Sequence, residues 1–109
     1  MGDGLLDQVK RKLRITWDDP DTDERLEGDI IPSAEADIRF KVGIPDSVEF
    51  DFAEPGIEHR LLLAHCYYQW NDADDDEFAD NYSGDIAVAR QKWEVTAFAE
   101  AKKQAPDLP

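Results

Sequence analysis

The acidic run Asp72-Ala-Asp-Asp-Asp-Glu77 sets oxygen ligands at alternate positions, the way a calcium loop begins. Counted from Asp72, the sixth and twelfth places hold Glu77 and Ser83, where such a loop needs a glycine for its turn and a bidentate glutamate. The run reads instead as a solvated helix start, where carboxylates favour the positive end of the helix dipole. His59 and His65 lie six residues apart, which on a helix turns them about 120° from each other, so the pair forms no zinc site. His65 sits in the apolar block Leu61-Leu-Leu-Ala-His-Cys-Tyr-Tyr-Gln-Trp70, where a hydrogen-bonded core histidine is the ordinary outcome, and Cys66 beside it reads as a small buried hydrophobe. Ser33, Ser47 and Ser83 stand outside any Gly-x-Ser-x-Gly elbow, and no glycine loop cradles a phosphate. Carboxylate pairs are too abundant to single out an acid and a base. The expectation is no catalysis, no metal and no cofactor.

Charge supplies the next constraint. The net charge is −14, with 26 acids against 12 lysines and arginines, and a free nucleic-acid binder needs the opposite sign to release counterions from phosphates. The distribution is lopsided: residues 1–15 carry four cations and two acids, residues 16–59 three cations and fourteen acids. A basic first helix on an acidic body suits head-to-tail contact between copies, with Lys10, Arg11 and Arg14 as the candidate subunit contact. The plainer alternative is a self-repelling, dissolved surface. At 41% hydrophobic residues with 11 aromatics, the composition is too rich in large apolar side chains for disorder. The length of 109 residues suits one domain, 1–109. A lone cysteine forms no internal disulfide, no stretch has the roughly 20 apolar residues of a membrane span, and the N-terminus lacks the order of a signal peptide. A cytosolic protein without membrane contact is expected.

The elements that must carry these residues follow from period. Leu5, Leu6, Val9 and Leu13 recur at helical spacing after Asp3, predicting a first helix over about 3–15, stopped by Asp18-Asp19-Pro20. Leu26, Ile30, Ala34, Ile38 and Val42 form the stripe of a second helix over 21–42, closed by Gly43-Ile44-Pro45. Pro32 inside it costs about 3 kcal/mol in an ideal helix, through a lost hydrogen bond and a clash with the carbonyl four residues back. That residue is Gly28, which predicts a kink at Pro32 within one helix; the alternative is two short helices broken at Ile31.

From 43 to 54 an extended loop is expected, with Val48, Phe50 and Phe52 alternating against Glu49 and Asp51. Either this loop tucks its aromatic face onto the helices, or it pairs with another chain through Val48, Phe50 and Phe52. The third helix, 55–71, opens at Pro55 and has almost no polar face, which makes it the core. Phe78, Tyr82, Ile86, Ala89, Trp93 and Ala97 mark a fourth over 76–103, with Gly84 weakening it enough that Ser83 is an alternative start. Ala105-Pro-Asp-Leu-Pro109 cannot continue a helix, predicting a mobile tail at 104–109. The fold class is therefore all-α, a compact bundle of about four helices.

In order, the short opening helix runs into Leu13-Arg-Ile-Thr-Trp-Asp-Asp, and the second helix carries Ile30-Ile31-Pro-Ser-Ala-Glu-Ala. Asp51-Phe-Ala-Glu-Pro leads into the third, and Tyr67-Tyr-Gln-Trp-Asn is followed by Phe78, Asn81-Tyr82 and Arg90-Gln-Lys-Trp-Glu-Val. This pattern, over roughly residues 5–95, resembles the head–tail connector (adaptor) proteins of long-tailed bacteriophages. The resemblance implies a structural virion protein, not an enzyme, which binds the portal after DNA packaging. It implies a monomer when isolated that forms a twelvefold ring on the portal, extends the DNA channel and docks the stopper or tail-completion protein. It also implies a place in the host cytoplasm during assembly and at the head–tail junction of the virion afterwards. DNA would pass through the channel without specific binding, and the acid excess agrees with a wall that repels it. Portal contact is expected on the tail at Lys102, Lys103 and Leu108, and a neighbour or stopper contact on the Val48 to Phe52 loop. An acidic DNA mimic that inhibits a nucleic-acid-binding enzyme is the alternative, and it would need its carboxylates in two phosphate-like rows.

Overall fold

Each regular element of the described residues is a helix, and the chain turns at points where the backbone chemistry demands it. The computed structural model describes residues 4–45 and 48–104, without the side chains of residues 97 and 100–104. Among the described residues there is no strand. Helix α1 (Leu5–Lys12) buries Val9, with Leu5 and Leu6 packed against the core, and its last turn carries Lys10, Arg11 and Lys12 at the negative end of the dipole. It stops as Arg14 turns left-handed (φ 61°) and the Ile15 amide bonds the Lys10 carbonyl at 2.9 Å.

Pro20, expected to end the first helix, also opens the second. It occupies the first turn of α2 (Pro20–Arg25), behind Asp19, whose Oδ1 accepts from the Asp21 amide at 3.2 Å. The chain then passes through one π-helical turn, Leu26–Ile30, into α3 (Ile31–Val42), with helical dihedrals at both junctions. This is how one continuous helical path carries Pro32. The Ile31 amide reaches back five residues to the Leu26 carbonyl, and the wider turn moves the ladder out of the register in which the proline ring would strike residue 28. The proline is thus relieved by widening just ahead of it; the helical path stays continuous, as expected, and the alternative of two helices broken at Ile31 is absent. Gly43 ends α3 in the left-handed region (φ 78°), with the amides of Gly43 and Ile44 both bonded to the Arg39 carbonyl.

Helix α4 (Ile57–Trp70) is the centre, packed against α1, α3 and two later helices, with Leu61, Leu62, Ala64 and Cys66 buried. It begins two residues after Pro55, which lies in the lead-in turn. The fourth helix expected over 76–103 is two helices: α5 (Asp75–Asn81), capped by Asp74, and α6 (Ser83–Gln104). Tyr82 separates them with φ −112°, ψ 17°. Its ring stacks on Phe78 at 5.2 Å and meets Tyr68 edge-on at 6.2 Å, while its carbonyl accepts from the Ile86 amide. Aromatic packing against α4 and the weak helical preference of Ser83 and Gly84 place the break there. The tail expected at 104–109 lies outside the described residues from position 105 on.

The segment between α3 and α4 folds inward. The Arg39 guanidinium donates to the carbonyls of Pro45 (2.8 Å) and Val48 (2.7 Å), the Phe50 ring meets Phe52 at 4.9 Å and Trp93 at 5.5 Å, and the His59 Nδ1–H donates to the Phe52 carbonyl at 2.7 Å. Beneath it, buried Glu58 accepts from the Trp93 indole at 2.9 Å and pairs with Lys92, fastening the start of α4 to α6. Burial works to raise the Glu58 pKa, but the Lys92 ammonium, its own backbone amide and the Trp93 indole outweigh that and hold it below the ordinary value.

Two outcomes follow. Gly43→Ala meets no neighbouring atom, so it should lose about 1 kcal/mol in urea denaturation from the left-handed backbone alone; an unchanged midpoint would show that the turn is made differently. The lowered Glu58 pKa adds stability that is complete above its ordinary value of 4.5 and is lost as pH falls below it. Glu58→Gln should therefore lose about 1–3 kcal/mol at pH 7, and the gap to the wild type should narrow on acidification; a gap independent of pH would contradict the ionised pairing.

Candidate functional site

The chain brings together a polar cluster that its linear spacing does not announce. Asp37 and Lys41 stand one turn apart on α3, His65 and Gln69 one turn apart on α4, and Asp75 opens α5. His65 is 7% exposed and lies between two oxygens: Nε2 is 2.7 Å from Asp37 Oδ2, and Nδ1 is 3.0 Å from Gln69 Oε1. Asp75 Oδ1 stands 3.7 Å from the same Nε2. The Lys41 ammonium bridges the two acids, at 2.9 Å from Asp37 Oδ2 and 3.2 Å from Asp75 Oδ2. Burial acts to lower the Lys41 pKa, and its hydrogen bonds to Asp37 and Asp75 overcome this and raise it above 10.5. The Phe78 ring meets the imidazole edge-on at 5.0 Å and closes the inner side.

The cluster borders a cavity of about 270 Å³, lined also by Ser33, Tyr68 and Ala73. Both nitrogens of His65 already face a partner, so the imidazole is held in place with no hydroxyl or thiol bonded to it as a nucleophile among the described contacts. Cys66, the next residue on α4, is fully buried; burial first and then the charge of Glu35 push its thiol up to about 12. The thiolate is thereby suppressed, as its apolar setting in the sequence implies.

The residues singled out from the sequence fall in three places. Lys10 is withdrawn from the basic patch: its side chain is 13% exposed and pairs with Asp23 at 2.8 Å and Asp18 at 3.8 Å. Arg11 and Arg14 remain exposed. Val48 and Phe50 are half-buried and Phe52 is 2% exposed, so the aromatic face of that loop lies on the core and Phe52 cannot serve as a docking side chain. The side chains of Lys102 and Lys103, and all of Leu108, lie outside the described residues.

A second surface escaped the sequence reading. Val88, Val95 and Phe98 are 60%, 68% and 70% exposed, and their spacing of seven and three sets them along one side of α6. Ala89 and Trp93, buried, occupy another side of the same helix, with Ile86 packed nearby. The signal was present as a second stripe offset from the inward one. Phe40 on α3, 82% exposed, stands with Ala79, Ile86 and Arg90 around an open depression at the start of α6.

Among the described residues no helix is long and apolar enough to cross a membrane. Comparison with family models, with curated proteins and with solved structures gives no match. Cys66 should resist a thiol reagent in the native protein and react fully in denaturant; rapid native labelling, followed by absorbance of the released chromophore, would contradict its burial.

Proposed function

We propose that this chain is a head–tail connector of a long-tailed phage or prophage. It binds the portal after DNA packaging, forms a ring that extends the DNA channel, and docks the stopper or tail-completion protein. The observation that carries the reading is the outward apolar stripe of α6. Val88, Val95 and Phe98 stay uncovered on a chain with a net charge of −14, and apolar surface in line along a 22-residue helix suits a protein contact. The helical architecture and the ordered sequence patterns that resemble connector proteins support the same role. The acid excess gives a channel wall that DNA would slide past.

In this reading the α6 stripe supplies the main portal or neighbour contact. The exposed Arg11 and Arg14 assist, while Lys10 serves its own fold. The loop from Val48 to Phe52 acts as a brace between α3 and α6.

Mixing the purified protein with its cognate portal and viewing the product by negative-stain microscopy tests the proposal. A ring of added density should form on the portal, and the double variant Val95→Glu, Phe98→Glu should keep its helical circular dichroism while losing the ring. Failure of the wild type to bind the portal would overturn the connector role. Unimpaired assembly of the variant would overturn the placement of the contact. Inhibition of a nuclease or polymerase by the protein at matching concentrations would instead favour a DNA mimic.

A further inference from the structure

We propose that Asp37, His65 and Asp75 form a binding site for a divalent transition metal of the zinc type, entered by exchange with the Lys41 ammonium. The three residues come from α3, α4 and α5, and one ligand atom from each lies within 4.8 Å of the others. Zinc bonds nitrogen and oxygen at about 2.0–2.2 Å, which sets tetrahedral ligand atoms roughly 3.4 Å apart. The separations of His65 Nε2 from Asp37 Oδ2 (2.7 Å) and from Asp75 Oδ1 (3.7 Å) bracket that value, so side-chain rotations suffice to receive the ion.

Two further observations point to a cation here. The first is the outer contact of the imidazole: Nδ1 faces Gln69 Oε1 at 3.0 Å. Metal-ligating histidines characteristically donate their second ring N–H to an oxygen, which turns the other nitrogen toward the metal, and Nε2 points at both carboxylates. The second is that the site already gathers positive charge, since the Lys41 ammonium bridges Asp37 and Asp75. Lysine reaches the acids on a flexible stem and can swing outward. With it gone, and with the Nε2 proton now shared with Asp37 released to solvent as the ion takes its place, two carboxylates and a neutral imidazole balance a dication, which removes the cost of the facing acids.

The ligand set decides the class of ion. One imidazole with two carboxylates suits zinc and its first-row neighbours, whereas calcium and magnesium prefer oxygen alone. The bordering cavity of about 270 Å³ provides the route in and leaves a fourth position for water. Bound there, the ion would tie α5 to the α3–α4 pair and steady the break at Tyr82.

The test uses the full chain after treatment with a chelator, followed by titration with zinc chloride alone, and with magnesium chloride or calcium chloride in parallel. Zinc should raise Tm by several degrees at one ion per chain, and magnesium and calcium should not. Cobalt(II) should give visible ligand-field absorption of a tetrahedral site. His65→Gln and Asp75→Asn should each weaken zinc binding at least tenfold in calorimetry. Asp75 is 59% exposed, so its variant keeps the fold if the His65 variant does not. Lys41→Met should bind zinc more tightly than the wild type. A wild-type Tm indifferent to zinc, or equal binding by Asp75→Asn, would overturn the site; no gain in Lys41→Met would overturn the exchange.

Discussion

Helix α4 has apolar side chains around nearly its whole circumference, and a helix without a polar face has to be surrounded. This constraint orders the rest. Burying each large side chain contributes about 1.5–3 kcal/mol before entropy is counted, which gives the chain a strong reason to wrap α1, α3, α5 and α6 about it. Hydrophobic burial is non-directional, however, and would tolerate several rotations of the neighbours. The two buried polar residues of α4 remove that freedom. Glu58 demands donors and takes the Trp93 indole and Lys92 from α6; His65 demands an acceptor and takes Asp37 from α3. A buried charge or imidazole left unpaired is costly, so these bonds fix the angular setting of the surrounding helices.

The inward pull extends to the loop between α3 and α4. Phe50 and Phe52 pack edge-on, and Phe50 meets Trp93, the residue that also satisfies Glu58. Arg39 bonds the carbonyls of Pro45 and Val48, holding the start of the same loop from α3. Among the described residues the surface left to the outside is rich in acids, and its most exposed large apolar side chains are Phe40 and the α6 stripe, with Trp17 and Tyr67 about half exposed. That division suits a protein whose proposed work is contact and electrostatic repulsion.

Much of this was legible along the chain because helices are local. The stripes of Leu5 to Leu13, Leu26 to Val42 and Leu61 to Trp70 lie in the elements expected of them, and Gly43 ends α3 where its backbone freedom is needed. The π-turn was not legible. A proline inside a helix signals trouble without stating whether the backbone bends, breaks or widens, and the local geometry chose widening. The break at Tyr82 depends on rings from α4 and α5 that sequence period cannot bring together.

The polar cluster was hidden for the same reason. Asp37 and His65 are 28 residues apart, and Asp75 belongs to an acidic run in which nothing marks one carboxylate from the next. Lys10 looked like part of a basic patch because its partner Asp23 stands on another helix. Pairings between elements decide which charged groups remain outside, and these are the contacts a linear reading sees least.

The most direct measurement of the connector role is quantitative mass spectrometry of particles purified from cells carrying the genome that encodes this chain. As a connector, the chain should be present in finished particles at one copy per portal subunit. Its absence from particles that contain portal and tail proteins would contradict it.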